Sequence, residues 1–449
     1  MRRRELLAAG IGTLSLAPAQ TIRSQHEAPH RFLAVVVEWP GDAAEATFRI
    51  RSSRDGTNWS EWREAQRDPH VAEAHRAFIA FSDRSQRFVE LEGAPAGAQL
   101  HFIDPGESPV ANGKPPGPRT SLGRPPMVGR LEWGSPDGNN MRGAPSYTTV
   151  THLILHHTAD GPVSDFAAWV RAIWSFHVNV NGWADIGYNF LIAPNGMIFE
   201  GRAGGDNVVG AHFSCQNGGT MGVALLGNYM QAAPTEAALA SLVQLLAWRA
   251  AALQLDPLGT VLHRGTNLQL PVISSHRDGN PSPLACTRTD CPGNQLYPLL
   301  GRIRNEVAAV ISRTPRWNAE PGSLWTSGAR RQADWWFGNP ATGSYEIPGT
   351  VSQGSLVSTE VELNADATLR YESWYQTEAG SVDRKLVELS VDGGEWRVID
   401  EVTGPPEMWD VRSVRLTARG RVRLRFRFDS VDAIGNRYEG WYLHAIALS

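Results

Sequence analysis

The chain has 449 residues, of which 42% are hydrophobic and 20% are charged, and this length exceeds what one hydrophobic core usually serves. We therefore expect two or three domains. The formal net charge of -4 is nearly neutral for this size and gives no general signature of binding to nucleic acid or to an anionic membrane surface.

The first residues have the pattern of an export signal. Arginines at 2–4 precede an apolar run that ends at Leu16, and the small residues 17–19 follow it. We assign residues 1–19 to a signal peptide that is too short to remain as a stable membrane anchor. The segment from Arg3 to Leu7 resembles a bacterial twin-arginine signal, and an ordinary secretory signal is the alternative. We expect a soluble mature protein that is secreted, either periplasmic or extracellular.

Residues 31–104 are predicted to form a small all-β module. Segments 32–39, 46–51 and 88–91 are rich in strand-forming residues, and Arg54-Asp55-Gly56 is a turn signal. We find no catalytic constellation in this module. Its tryptophans fit core or edge packing better than stacking on sugars. Residues 105–126 are dense in proline and glycine, which predicts a semi-rigid linker.

A buried strand is predicted near the middle of the chain. Residues 149–158 hold a β-branched apolar run that ends with His156 and His157, at the strand end where open sheets bind ligands. Such a pair alone is equally well explained by satisfied core or surface histidines. His276 and Cys291, further along, complete a set of two imidazoles and one thiolate. Zinc accepts such ligands and keeps a fourth position open for water.

The surrounding segments predict a domain that mixes strands and helices. Apolar residues at helical spacing over 166–177 predict a helix with His177 on the face toward the sheet. Pro194-Asn195-Gly196 is a hairpin signature. Another buried strand is predicted at 221–226. Thr235 is predicted to cap a long helix, and a last helix runs near 296–310. We expect a central α/β domain with a mixed sheet and flanking helices over residues 127–314.

The remaining residues, 317–449, are predicted to form a β-sandwich module of the jelly-roll type. Segments 369–375, 386–391 and 422–428 alternate with period two. Two tryptophan-rich motifs, at 335–338 and 440–442, look like jelly-roll modules of secreted bacterial metalloproteases. The tryptophans suggest glycan binding by this module, although sandwich cores also use tryptophan. Three side chains there suit either calcium binding or ordinary loop solvation: Asp429, Asp432 and Asn436.

Several motifs of the central domain occur in a characteristic order. They include Leu155-His156-His157-Thr158, the segment 183–190, the segment 222–228, Ser275-His276-Arg277-Asp278 and Cys291-Pro292-Gly293. They resemble the zinc amidases of the peptidoglycan recognition protein and phage-lysozyme amidase family (amidase type 2), over about residues 125–312. The resemblance implies an N-acetylmuramoyl-L-alanine amidase that cuts the amide between N-acetylmuramic acid and L-alanine in bacterial peptidoglycan.

The resemblance also implies roles for individual residues. Zinc would be held by His156, His276 and Cys291. Tyr188 would orient water or stabilise the oxyanion, and Thr289 would take an auxiliary polar role in catalysis. Substrate binding is implied for His157, His177, Gly182, Trp183 and His212. In the family the Gly182-Trp183 pair accompanies meso-diaminopimelate-type stems, and no carboxylate presents itself as the general base.

The odd number of cysteines leaves two questions open. Cys215 and Cys286 either form one disulfide or stay as free thiols, and Cys286 is the rival of Cys291 as a ligand. Cys291 is favoured because Pro292-Gly293 follows it, as in the family. Two other functions stay in view, namely a binding protein that senses peptidoglycan without cutting it and an adhesive wall protein. Relatives that sense peptidoglycan without cutting it lose the cysteine ligand, whereas Cys291 is present in this chain. The presence of all three zinc ligands argues against an adhesive wall protein.

Overall fold

The computed structural model describes residues 23–40, 47–65, 67–68, 75–108, 122, 124–213, 215–328, 331, 333–378, 382–404 and 406–448. The predicted export signal and most of the predicted linker lie outside these residues. The chain separates into two units, of which the first comprises Met1–Ser108 with Asp160–Trp183 and the second Pro109–Ala159 with Ala184–Ser449. None of the described helices has the length and hydropathy needed to cross a membrane.

Helices and strands are numbered in chain order. The helices are α1 (Arg130–Trp133), α2 (Phe166–Ser175), α3 (Glu236–Ala252) and α4 (Leu300–Arg313). The strands of the first unit are β1 (Arg23–Phe32), β2 (Ala34–Glu38), β3 (Phe48–Ser53), β4 (Arg63–Ala65), β5 (Arg76–Ala80), β6 (Gln86–Glu92) and β7 (Gln99–Ile103). Those of the second unit are β8 (His152–His157), β9 (Phe190–Ile192), β10 (Ile198–Glu200), β11 (Thr220–Leu225), β12 (Thr260–His263), β13 (Leu268–Pro271), β14 (Ile273–Ser275), β15 (Trp317–Ala319), β16 (Trp325–Ser327), β17 (Trp335–Phe337), β18 (Gln353–Ser358), β19 (Val361–Leu363), β20 (Ala367–Gln376), β21 (Arg384–Val391), β22 (Arg397–Glu401), β23 (Asp410–Leu416), β24 (Gly420–Asp429) and β25 (Gly440–Leu448).

The first unit contains two antiparallel sheets that share one hydrophobic core. Their strand orders are β1-β6-β3-β4 and β5-β2-β7. The segment 32–39, predicted as one strand, is divided, because Phe32 pairs with Gln86 in one sheet and Ala34 pairs with Ala80 in the other. The apolar run is thus shared between two sheets and buried on both faces. This explains why apolar and polar residues do not alternate along it. The first strand begins at Arg23, ahead of the predicted module start at residue 31.

Helix α2 belongs to this same unit, although its sequence was assigned to the central domain. Asp165 caps it by accepting a hydrogen bond from the Ala168 amide at 2.9 Å. The Arg171 guanidinium donates to the carbonyl of Pro105 at 2.7 Å and to that of Gly106 at 3.0 Å. The rings of Phe78 and Phe176 stack with their centroids 5.1 Å apart. Segment 160–183 is therefore packed directly on the N-terminal strands.

The second unit carries a five-stranded mixed sheet in the order β10-β9-β11-β8-β14. Strands β9, β11, β8 and β14 are parallel, and β10 pairs with β9 in antiparallel fashion, as the hairpin signature predicts. Helix α3 begins after Thr235, whose hydroxyl accepts the Ala238 amide hydrogen at 3.1 Å, so the predicted cap is confirmed. Helices α3 and α4 contribute Leu242, Leu246 and Ile303 to the core beneath the sheet.

The C-terminal part of the second unit is built from two antiparallel sheets. One has the order β15-β18-β24-β21-β22, with β19 also pairing with β24, and the other has the order β16-β17-β25-β20-β23. Both sheets contribute to one core, for example through Leu356 and Phe426 from the first and Tyr371 and Trp441 from the second. Trp336 and Trp441, from the two tryptophan-rich motifs, are buried. Packing accounts for both side chains.

Candidate metal centre

The two predicted histidine ligands lie together at one edge of the mixed sheet. Strands β8 and β14 are parallel, and Leu155 lies opposite Ser275 in their register. His156 and His276 follow these two residues, so both imidazoles emerge at the carboxyl ends of neighbouring strands. Both side chains are fully buried. The strand β14, which ends at Ser275 just before His276, is short and was not predicted, because its three residues show too little periodicity.

Cys291 reaches the same edge through a loop held by its own polar residues. Its carbonyl accepts the Arg277 amide hydrogen at 2.9 Å, and its amide donates to the Thr289 hydroxyl at 2.9 Å. Asn280 holds both backbone groups of Thr289, at 2.8 and 3.1 Å. As a result the Cys291 Sγ lies 3.6 Å from His156 Nδ1. The long stretch between His276 and Cys291 therefore folds back without displacing the thiol.

Among the described residues, His156, His276 and Cys291 form the one group of three or more histidine, cysteine or carboxylate side chains that is compact enough to hold a metal ion. Their ligand atoms all lie within 4.8 Å of one another, and all three residues are buried. Cys215 and Cys286 form a disulfide with a Cα–Cα distance of 5.9 Å, and Cys291 is the cysteine outside this disulfide. Two imidazoles and one thiolate suit zinc with one position left open. The donor set therefore fits the predicted metal.

His212 lies behind His156, which sequence reasoning did not foresee. His212 Nδ1 is 3.0 Å from His156 Nε2, and His212 Nε2 is 3.3 Å from the Thr220 hydroxyl. His156 therefore has Nδ1 on the side of Cys291 and Nε2 engaged by a second imidazole, an arrangement that fixes the orientation of a metal-binding ring. His212 is only 1% exposed. Its predicted role in substrate binding stays a prediction, and its contacts suit the positioning of His156.

A glycine makes room for the His212 ring. A Cβ added at Gly222, in the middle of β11, would lie 2.5 Å from His212 Cγ and 2.7 Å from His212 Nδ1. Neither distance is compatible with van der Waals packing. The backbone amides of His212 and Phe213 both donate to Asn217 Oδ1, at 2.7 and 2.8 Å. The loop that carries His212 and the strand that carries Gly222 thus position the His212 ring together.

Three further predicted residues surround the cluster. The Tyr188 ring is buried, with its centroid 5.3 Å from that of His156. His157 Nδ1 accepts the Tyr229 amide hydrogen at 3.2 Å, and the His157 amide lies 3.4 Å from Cys291 Sγ. Thr289 contacts the Cys291 backbone as described above. The structure thus brings Tyr188, His157 and Thr289 to the cluster, and their assigned roles in catalysis and binding stay predictions.

The other predicted binding residues lie in the first unit. Helix α2 passes into a π-helical turn, Phe176–Val180, which carries a buried His177. The Trp183 amide donates to the His177 carbonyl at 2.9 Å, and the two rings have centroids 4.7 Å apart. Gly182 has a φ of +71, a left-handed conformation that glycine adopts without strain. The structure therefore joins His177, Gly182 and Trp183 in one local turn.

Two residues of the recognised motifs are structural. Asp185 is fully buried, forms an ion pair with Arg130 at 3.1 Å, and accepts the Ala203 amide hydrogen at 2.8 Å. Asn189 bridges two backbone segments, since it accepts from the Gly222 amide at 2.8 Å and donates to the Val208 carbonyl at 2.9 Å. These contacts hold the segment that presents Tyr188.

A second histidine pair occupies the opposite end of β8. His152 and His263 are buried with ring centroids 5.1 Å apart, and burial lowers the pKa of both imidazoles. Backbone carbonyls satisfy them, those of Val261 for His152 at 3.2 Å and of Gly218 for His263 at 2.8 Å. They are core histidines.

The comparisons with known proteins match the central part of the chain. A family model described as N-acetylmuramoyl-L-alanine amidase matches residues 146–294. An N-acetylmuramoyl-L-alanine amidase of Homo sapiens is 35% identical over 205 residues, which cover 43% of this chain and 31% of that protein. Peptidoglycan-recognition protein SC2 of Drosophila simulans is 31% identical over 174 residues, covering 38% of this chain and 82% of that protein. The crystal structure of Drosophila peptidoglycan recognition protein SD is 28% identical with a TM-score of 0.32, over 39% of this chain and 94% of that one.

The match therefore spans less than a third of the human protein but most of the insect one. It includes both histidines, Cys291 and the sheet that carries them. The chain belongs to the family of N-acetylmuramoyl-L-alanine amidases and peptidoglycan recognition proteins.

Proposed function

We propose that this protein is a zinc-dependent N-acetylmuramoyl-L-alanine amidase, which hydrolyses the amide between N-acetylmuramic acid and L-alanine in bacterial peptidoglycan. The observation that carries the proposal is the buried cluster of His156, His276 and Cys291. A protein that only binds peptidoglycan has no need of a buried thiol grouped with two imidazoles. Cys291 is kept out of the disulfide, so it stays available as a ligand.

Amide hydrolysis needs an activated water and a stabilised oxyanion. Zinc held by the three residues would supply Lewis acidity, which activates water and polarises the amide carbonyl. Cys291 acts as a thiolate, and the contact of its Sγ with the His157 amide at 3.4 Å favours that charged form. His212 orients His156, and Thr289 fixes the backbone of Cys291.

Tyr188 is assigned to the substrate carbonyl. The proposal is supported by its ring, which lies beside that of His156. A preorganised hydroxyl donor stabilises negative charge that develops on the oxygen during attack. A role in binding the glycan and stem peptide is proposed for His157, and separately for the turn formed by His177, Gly182 and Trp183. No residue is assigned as the general base.

The wider organisation is part of the same proposal. Residues 1–19 are an export signal, 31–104 and 317–449 are β-sandwich accessory modules, 105–126 is a linker and 127–314 is the zinc amidase domain. Two-sheet cores formed by residues before and after the amidase domain in the sequence support the sandwich assignment. The Cys215–Cys286 disulfide supports export, because such bonds persist in oxidising compartments. Glycan binding by the C-terminal module is proposed without assigned residues.

The second candidate function is recognition of peptidoglycan without hydrolysis, and the relatives named as recognition proteins keep it in view. Mass spectrometry of purified peptidoglycan after incubation with the mature protein separates the two. An amidase releases free stem peptides and leaves glycan chains with bare muramic acid. Binding to sedimented peptidoglycan without any release, by protein that contains one zinc per chain, would establish the recognition function instead.

A further inference from the structure

Three chain segments meet at one end of the C-terminal two-sheet region. Glu378 follows β20, Asp383 precedes β21, and Asn436 lies between β24 and β25. The Glu378 amide donates to Asp383 Oδ2 at 2.9 Å, and the buried Tyr345 hydroxyl donates to the same oxygen. The backbone amide of Tyr345 donates to the Tyr438 carbonyl at 3.1 Å, in the segment of Asn436. Tyr345 therefore ties all three segments together.

Each of the three residues has a buried oxygen that receives no hydrogen bond from the described part of the chain. These atoms are Glu378 Oε2, Asp383 Oδ1 and Asn436 Oδ1. Asn436 is 1% exposed and Asp383 is 4% exposed. Buried acceptors are normally satisfied, so three such oxygens on segments that are joined by hydrogen bonds require a partner. Their chemistry, two carboxylate oxygens and one amide oxygen, indicates a partner that carries positive charge.

The orientation of the Asn436 amide follows from its neighbours. Its Nδ2 donates to the Asp432 carbonyl at 3.0 Å and to the Ser430 hydroxyl at 3.3 Å. Because both donors are used on that side, Oδ1 must face away from the loop. On the adjacent residue, a Cβ added at Gly435 would lie 2.7 Å from Glu378 Oε1 and 3.0 Å from Oε2. The Glu378 carboxylate therefore lies against the segment that presents Asn436.

Neither a side-chain cation nor a single water accounts for these oxygens. The nearby Lys385 ammonium donates to the Thr377 hydroxyl at 3.3 Å and to the Asp383 main-chain carbonyl at 3.0 Å, and no bond to a carboxylate is formed by it within the described structure. One water molecule donates only two hydrogen bonds, which leaves a third acceptor unsatisfied. Calcium accepts six to eight oxygens from carboxylates, amides, main-chain carbonyls and water.

We propose that Glu378, Asp383 and Asn436 bind a calcium ion that fastens these three segments. Main-chain carbonyls and water complete its coordination. Asp429 is not a ligand, since its carboxylate pairs with Arg427 at 3.1 Å and accepts the Val431 amide hydrogen at 3.0 Å. The site thus shares only Asn436 with the trio predicted from sequence.

A shared proton is the rival explanation. Burial raises the pKa of the Asp383 carboxyl, the hydrogen bond from Tyr345 opposes this, the Lys385 charge lowers it and that of Asp432 raises it. A protonated Asp383 could donate a hydrogen bond to a neighbouring oxygen. A carboxyl whose pKa is raised by folding stabilises the protein below its unfolded pKa, and this stabilisation fades as pH rises through the folded pKa. The two explanations therefore differ at neutral pH, where only calcium still satisfies the three oxygens.

The test uses the full chain with its zinc site saturated. Thermal unfolding is followed at pH 7.5 with calcium chloride, with magnesium chloride and without divalent cation. We expect calcium at about a hundredfold excess over its Kd to raise the unfolding temperature of the C-terminal region by on the order of 5–10 °C, and magnesium to have little effect. Terbium luminescence, sensitised by nearby aromatic residues, reports binding directly.

Two variants and a matched control localise the effect. In Asp383→Asn the amide oxygen can replace Oδ2 as the acceptor of the Glu378 amide hydrogen while the negative charge is lost, so the fold should persist and the calcium response should vanish. Glu378→Gln serves the same purpose at a less buried position. Asp429→Asn removes a neighbouring carboxylate outside the proposed ligands and should keep the full response. The shared proton would be established, and the proposal overturned, if the unfolding temperature of the parent did not change with calcium but rose on acidification. A calcium response that survives in both variants would overturn it equally.

Discussion

The contact between Gly222 and His212 allows a sharp test of how the metal centre is held. In Gly222→Ala the new methyl would lie 2.5 Å from His212 Cγ, whereas carbon atoms in contact need about 3.5 Å. The His212 ring must therefore move by roughly 1 Å. The distance between His212 Nδ1 and His156 Nε2, now 3.0 Å, would then approach about 4 Å and the hydrogen bond would be lost.

Loss of such a partner typically costs about 10- to 100-fold in metal affinity, or roughly 1.4–2.7 kcal/mol. Zinc affinity is measured by competition with a chromogenic chelator, and thermal unfolding of the zinc-loaded protein checks that the fold persists. Gly218→Ala is the matched control, because a Cβ added there meets nothing within 4 Å. We expect that variant to bind zinc as the parent does.

A double-mutant cycle decides whether the glycine acts through the histidine. If it does, Gly222→Ala combined with His212→Ala should bind zinc no more weakly than His212→Ala alone, because the ring that the methyl displaces is already gone. Additive losses in the double variant would refute this reasoning. So would a zinc affinity of Gly222→Ala equal to that of Gly218→Ala.

Three further predictions concern the cysteines, Tyr188 and the Phe78–Phe176 contact. Cys291→Ser should lose zinc and turnover. Cys286→Ser should keep both but lose roughly 4 kcal/mol of stability, because its disulfide closes a loop with a sequence separation of 71. Metal analysis and thermal unfolding check this, and zinc retained by Cys291→Ser would contradict it. Tyr188→Phe should lower the rate of stem-peptide release by about a hundred- to a thousandfold at unchanged zinc content, and a rate within about threefold of the parent would exclude the oxyanion role. Phe78→Ala removes the ring stacked on Phe176 and should raise KM for peptidoglycan fragments more than it lowers kcat. Phe102→Ala, which removes a ring packed on Phe32 instead, is its control, and equal kinetic effects of the two would argue against a specific role of the Phe176 contact.

Short sequence patterns predict the strands, caps and turns that are determined by residues close together in the chain. The strand of His156 shows its apolar run in sequence, and the cap at Thr235 is made within the same turn of helix. The hairpin around Asn195 is likewise set by its turn residues. His276 and Cys291 could be matched to His156 because ligand type is a property of single residues. The ligand atoms of the three residues lie within 4.8 Å of one another because of the parallel register of β8 and β14 and the folded-back loop of Cys291.

Other features depend on contacts that no local pattern encodes. His212 and Gly222 belong to separate motifs, and only the pairing of β11 with β8 reveals that one makes room for the other beneath His156. The division of the run from Phe32 to Trp39 between two sheets is equally invisible, because a strand buried on both faces loses its alternation. The sequence is also compatible with either a Cys215–Cys286 disulfide or two free thiols, because the pairing depends on where the two loops lie in the fold.

The position of segment 160–183 bears on how the whole chain works. Sequence similarity assigns this segment to the amidase, yet its helix and π-helical turn pack on the N-terminal strands. Arg76 donates to Asn181 Oδ1 at 3.1 Å, one residue before Gly182, and Arg171 is held by carbonyls that follow β7. The turn that joins His177 to Trp183 is therefore stabilised by residues outside the matched region. The proposed binding of substrate by this turn therefore depends on the N-terminal module, whose contacts contribute to the free energy of holding the turn in place.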